Sequence, residues 1–264
     1  MPARNEDFKE SHEIGMTVNL WYARPKHLPA QATAEDWKNI LTAEERARSR
    51  AFRFEKHRRE YIVTRLLVRN ALSHYHPAPP QTWNFRTNRY GKPSVDPDCG
   101  LRFNLSNSSE LVVCLMGDEV EVGVDIEPHD RAMEVAKLAR EIFSSLELEQ
   151  IETLSEQEKF NRALSLWTLK ESYIKARGLG LSLPLKSFSF VFGQSDRFHL
   201  ELDPGLADDP ANWRFRLLNL AEHRVAVAVR SDLDPHVNIW EARPPLYVPV
   251  RQRGVTEAAV QFLN

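Results

Sequence analysis

Val120-Glu121-Val122-Gly123-Val124-Asp125-Ile126-Glu127-Pro128 alternates apolar and non-apolar residues until the proline. In an extended chain Val120, Val122, Val124 and Ile126 fall on one face, and Glu121, Gly123, Asp125 and Glu127 on the other. The period predicts a strand over Glu121–Glu127, which Pro128 stops. Asp125 and Glu127 then project the same way, with Cα atoms about 7 Å apart from two rises of about 3.3 Å. Two carboxylates so placed repel unless a cation lies between them. A half-exposed strand with a polar outer face has the same pattern, so the segment by itself leaves both readings open.

Downstream the pattern changes period. Helices are expected over Ala132–Phe143, over Ser144–Leu154 and from about Ser155 to Arg177, with Gly178 and Gly180 as C-cap residues. Strand-like segments return at Phe188–Phe192, Phe198–Leu202, Trp213–Leu220 and Arg224–Arg230. Upstream lies a comparable round. It holds a strand at Met16–Ala23, a helix capped by Thr42 and running through Phe52, and a helix from Arg58 to Tyr75 ended by prolines. Strands at Trp83–Thr87, Leu101–Ser106 and Leu111–Met116 complete it. Two rounds of helices and strands imply an α+β protein with two similar halves, residues 1–118 and 119–264. From about residue 232 Pro235, Pro244, Pro245 and Pro249 suggest a proline-rich tail over the surface, ending in a short helix at Thr256–Leu263.

The long helix carries the second unusual feature. Phe160, Ala163, Leu164, Trp167 and Ile174 trace an apolar stripe, and Glu171 falls inside it. A carboxylate in an apolar seam is costly unless neutralised or bonded to a cation. Lys175 lies four residues on, so a plain surface ion pair with Glu171 is the alternative. Three carboxylates, Asp125, Glu127 and Glu171, suit an oxygen-ligand site for magnesium, which keeps waters and takes substrate phosphates.

Bulk properties restrict the rest. The 264 residues are 42% hydrophobic and 27% charged, ordinary for a soluble globular protein. No run approaches the roughly 18 consecutive apolar residues of a membrane span. The polar, acidic N-terminus does not resemble a secretory signal, and only Cys99 and Cys114 occur, so a cytoplasmic protein without a disulfide framework is expected. A net charge of −2 argues against broad attraction to nucleic acid or membranes. Nine basic residues nevertheless gather between Arg46 and Arg69, either as a solvated helix face or as a local anion site.

Gly123-Val124-Asp125-Ile126-Glu127, followed by Trp167-Thr168-Leu169-Lys170-Glu171-Ser172-Tyr173-Ile174-Lys175, resembles the two-part signature of the 4′-phosphopantetheinyl transferases. The gap from Asp125 to Trp167 is 167 − 125 = 42 residues, against about forty in the family. Tyr90-Gly91-Lys92-Pro93, Phe103-Asn104-Leu105-Ser106 and Gly178-Leu179-Gly180-Leu181-Ser182-Leu183-Pro184-Leu185 extend the match. The length implies the Sfp type, two pseudo-symmetric halves in one chain with the active site at their interface. The resemblance implies transfer of 4′-phosphopantetheine from coenzyme A to a serine of an apo acyl or peptidyl carrier protein, releasing 3′,5′-ADP. The carrier would serve fatty-acid, polyketide or nonribosomal-peptide synthesis, and the enzyme would be a cytoplasmic monomer engaging neither nucleic acid nor membrane. Asp125, Glu127 and Glu171 are implied as Mg²⁺ ligands, with Glu171 and Lys175 catalytic. Arg48, Lys92, Ser106, Asn107 and Lys175 are implied as coenzyme A contacts. Asn107 departs from the family, which usually has a His there. A non-catalytic binding relative and a Mg²⁺-dependent phosphohydrolase are the alternatives.

Overall fold

A computed structural model describes residues 16–28, 37, 39–108, 110–193, 197–243 and 248–251. The expected helix at Thr256–Leu263 lies outside them. The chain divides into two compact units, one of residues 1–88, 93–120 and 234–253, the other of residues 89–92, 121–233 and 254–264.

The first unit contains β1 (Met16–Ala23), α1 (Ala43–Ala51), α2 (Glu55–Tyr75), β2 (Asn84–Thr87), β3 (Pro93–Asp96), β4 (Leu101–Asn107) and β5 (Val112–Asp118). It also takes β11 (Pro235–Arg243) and β12 (Val248–Arg251), and its main sheet runs β12-β11-β1-β5-β4. β1 pairs with β11 in parallel and with β5 antiparallel, and Val18 to Ala23 are all buried. That is the behaviour of a central strand covered on both faces. α2 lays Ile62, Val63, Leu66, Leu67 and Leu72 into the core.

The second unit contains β6 (Val122–Pro128), α3 (Ala132–Lys137), α4 (Ala139–Ile142), α5 (Ser145–Glu152) and α6 (Glu156–Arg177). The hairpin of β7 (Phe188–Phe192) with β8 (Phe198–Leu202) follows, then β9 (Trp213–Leu220) and β10 (His223–Arg230). An antiparallel sheet of order β6-β10-β9 carries α6 against it. Ala163, Leu166, Leu169 and Tyr173 of the helix share a core with Phe215, Leu217, Ala226 and Ala228 of the sheet. The architecture is α+β.

Four details differ from the sequence reading. The segment expected as a surface tail instead supplies β11, flanked by β12 and β1. Pro235 opens the strand, where a missing N–H costs no ladder bond, and Val237, Ile239 and Glu241 alternate into buried positions. β3 forms where only a motif had been read. The single helix expected over Ala132–Phe143 is two, parted at Leu138 by a φ of −93° and ψ of 4°, with neither Gly nor Pro to announce it. Gly178 does close α6 in the left-handed region at φ 62°, whereas Gly180 opens a short 3₁₀ turn.

Candidate functional site

Gly123 sets the distance between β6 and α6. A Cβ at that position would stand 2.1 Å from the Ser172 carbonyl oxygen and 2.4 Å from the Ala176 nitrogen. Only glycine lets helix backbone come this close to the strand. The face of β6 that carries Gly123, Asp125 and Glu127 is thus buried, with Asp125 4% and Glu127 8% exposed. The half-exposed strand drops out as a reading.

Lys175 Nζ donates to Asp125 Oδ1 at 2.6 Å, so its partner is the strand acid and not Glu171. Trp167 Nε1 donates to Glu127 Oε1 at 2.8 Å. Arg131 Nη1 reaches both oxygens of the same carboxylate, at 2.7 and 2.6 Å. Glu171 is half-buried and, among the described residues, makes no hydrogen bond or ion pair. It lies one turn from Trp167 and one turn from Lys175, on the half-buried ridge of α6 and not inside the apolar stripe. Trp167 and Phe160, read as part of that stripe, are likewise only half-buried, and the buried side is formed by Ala163, Leu166, Leu169, Lys170 and Tyr173.

The electrostatics show three acids crowding one place. Burial, and then the Asp125 carboxylate, push Glu127 above the usual carboxylate range, against the hydrogen bond from Trp167 and the charge of Arg131. Burial, and then Asp125, push Glu171 up as well, with Lys175 opposing and Glu127 adding to the rise. Asp125 thus acts on both of the other acids, and among the described residues no cation is bonded to Glu171. Among the described residues no group of three His, Cys, Asp or Glu encloses an ion ready-made. Magnesium does not ask for such a cage, since it binds through one or two carboxylates, waters and substrate phosphates. Hard oxygen donors with a shortage of positive charge fit that ion.

Lys92 donates to Glu121 Oε2 and to the Ala176 carbonyl oxygen, both at 2.6 Å, covering one of the last carbonyls of α6. The remaining expected contacts belong to the first unit. Ser106 is buried in β4. Asn107 is exposed at the end of β4, and its Nδ2 donates to Glu60 Oε1. Arg48 is exposed with its guanidinium 5.5 Å from the Tyr61 ring centroid. The basic run is therefore not of one kind. Arg69 is 2% exposed and clamps Glu45 with two bonds of 3.0 Å, while Arg58 and Arg59 pair with Glu55 on the helix surface.

Sequence reasoning missed Arg131, Lys170 and the indole bond of Trp167. Arg131 stands four residues after Glu127, but across a strand end where helical spacing rules do not apply. Lys170, fully buried, pairs with the equally buried Glu147 at 2.8 Å and donates to the carbonyls of Leu185 and Phe188 at 2.8 and 2.5 Å. A lysine in the middle of an amphipathic helix gives no signal of this.

Residues 121–228 match the model of the 4′-phosphopantetheinyl transferase superfamily, and residues 27–118 match that of the 4′-phosphopantetheinyl transferase N-terminal domain. The chain is 31% identical over 174 residues to the 4′-phosphopantetheinyl transferase Sfp of Bacillus subtilis, covering 66% of this chain and 76% of that protein. It is 38% identical over 128 residues to the 4′-phosphopantetheinyl transferase gsp of Aneurinibacillus migulanus, covering 48% and 52%. It is 31% identical over 168 residues to the 4′-phosphopantetheinyl transferase HetI of a Nostoc strain, covering 62% and 70%. The chain belongs to the 4′-phosphopantetheinyl transferase superfamily and is of the Sfp type.

Proposed function

We infer that the protein transfers the 4′-phosphopantetheine group of coenzyme A to a serine of an apo acyl or peptidyl carrier protein, with Mg²⁺. The observation that carries this reading is the burial of Asp125 and Glu127 on β6 against the helix that brings Glu171 and Lys175. In the reaction the serine Oγ forms a bond to the β-phosphorus, the bond from that phosphorus to the leaving 3′,5′-ADP breaks, and the serine proton must be taken up. Asp125, Glu127 and Glu171 would hold Mg²⁺, which when bound neutralises charge growing on the phosphate oxygens.

The chain's own groups do the rest. Glu171, whose pKa burial and then the Asp125 carboxylate raise above the ordinary glutamate value, takes the serine proton directly or through a water. Lys175 supplies a positive charge to the transferring phosphate, one its position beside Asp125 already keeps at the site. Lys92, Arg48, Ser106 and Asn107 bind the coenzyme's remaining phosphates. The enzyme acts in the cytoplasm as a monomer, and no helix among the described residues is long and apolar enough to cross a membrane.

Formation of 3′,5′-ADP from coenzyme A, followed with and without an apo carrier protein, tests the reading. Product that depends on carrier and disappears with EDTA is expected. Phosphate release without any carrier would instead mark a hydrolase.

A further inference from the structure

Glu127 already has a counter-ion. Both of its oxygens are taken by Arg131 Nη1, at 2.7 and 2.6 Å, and Oε1 also accepts the Trp167 indole at 2.8 Å. The carboxylate side chain is 11% exposed and the arginine 39%, so this pair sits at the mouth of the buried face and its charges are incompletely screened. The carboxylate still has lone pairs for a cation at about 2.0–2.1 Å, but a guanidinium keeps its positive charge at any working pH and, bonded to both oxygens, repels a divalent ion seated on the same group. Arg131 has a second acid within reach. Its Nε lies 3.5 Å from Glu134 Oε2, in the first turn of α3, and Glu134 is 67% exposed. The arginine therefore stands between a buried acid at the site and a solvated acid beside it.

We propose that Arg131 is a positioning residue that holds Glu127 in the metal-free protein and gives it up when the cation binds, moving its charge onto Glu134. This rests on the metal reading above. It assigns the Arg131–Glu127 pair a cost that metal binding must meet, and the Arg131–Glu134 pair a small repayment. While the site is free of metal, the arginine also offsets the repulsion that Asp125 imposes on Glu127.

The two pairs predict opposite mutational effects. Arg131→Gln removes the competitor and leaves three mutually repelling acids, so it should tighten divalent-metal binding by about tenfold, within the usual range of coupling between ligands. Glu134→Gln removes the landing place. Because exposed pairs contribute little, it should weaken binding by only about threefold.

The experiment titrates Mn²⁺ into the full chain saturated with coenzyme A and reads free Mn²⁺ by electron paramagnetic resonance, with coenzyme A alone as the blank. A merely structural arginine would leave affinity unchanged or lower it when replaced, and either result for a folded Arg131→Gln protein overturns the exchange. Should that variant fail to show a cooperative melt, Glu134→Gln decides: weaker binding supports the exchange, and equal or tighter binding overturns it. A wild type that binds no more Mn²⁺ than the blank overturns the metal reading and the exchange together. Normal wild-type binding with unshifted variants overturns the exchange alone.

Discussion

Glu171 is the acid whose charge has least to answer it, being half-buried, raised in pKa and without a bonded partner among the described residues. Glu171→Gln keeps the shape and removes the charge. Turnover should fall by about a hundredfold or more, since an interaction specific to the transition state is lost. The melting temperature without metal should hold or rise, because a repelling charge is gone, and steady-state rates beside thermal melts check both halves. Glu60 offers a test by pH. Burial raises its pKa above the ordinary glutamate value, so between the two values the folded chain binds more protons than the unfolded one. Stability from this group is therefore lost as pH rises through the folded pKa. Glu60→Gln should melt higher than wild type at pH 7 and gain nothing at pH 4; a gain of equal size at both would contradict the burial assignment. The strand acids were readable from a period of two, which needs only neighbours in sequence. The bonds that Trp167 and Lys175 make to Glu127 and Asp125 were not, since they join residues 40 and 50 positions apart.

Gly123 governs how α6 meets β6, and its motif value is geometric before it is chemical. With 2.1 Å available to a Cβ, Gly123→Ala must push the helix out by about an ångström. Overpacking of this kind costs about 1–3 kcal/mol. The larger effect should fall on turnover, by about a hundredfold, because Glu171 and Lys175 ride on the displaced helix. Rates falling no further than the stability loss explains would deny the glycine this positioning role. On the opposite side of α6, Lys170 and Glu147 form a pair with no exposure at all, and Glu147 also accepts the Phe190 N–H at 2.9 Å. Lys170→Met should destabilise by about 3–5 kcal/mol by stranding a buried carboxylate, measurable by denaturant unfolding. Replacing both residues by apolar ones should recover part of that loss. Helix and strand positions followed from periodicity in most segments. The break at Leu138 and the full burial of Lys170 did not, because each is decided by packing against distant elements.

Residues beyond 232 are the part of the fold least legible in the sequence. Four prolines suggested a wrapping tail, yet Val237, Ile239 and Glu241 alternate like the strand they form, and parallel pairing with β1 makes the segment part of the first unit. Its partner is more than 200 residues away in sequence, so no local pattern could have named it. Function was legible instead in two short motifs at their proper separation, which stand in the structure as one strand and one helix brought close at Gly123. If that assembly transfers phosphopantetheine, a carrier protein must gain it on a serine. Apo carrier proteins from fatty-acid, polyketide and peptide synthesis, each incubated with the enzyme, Mg²⁺ and coenzyme A, can be weighed intact and after digestion by mass spectrometry. The expected result is the addition of one phosphopantetheine on a single serine of at least one carrier, absent with EDTA and with Glu171→Gln. Unmodified carriers across the set, with coenzyme A consumed all the same, would contradict the assignment.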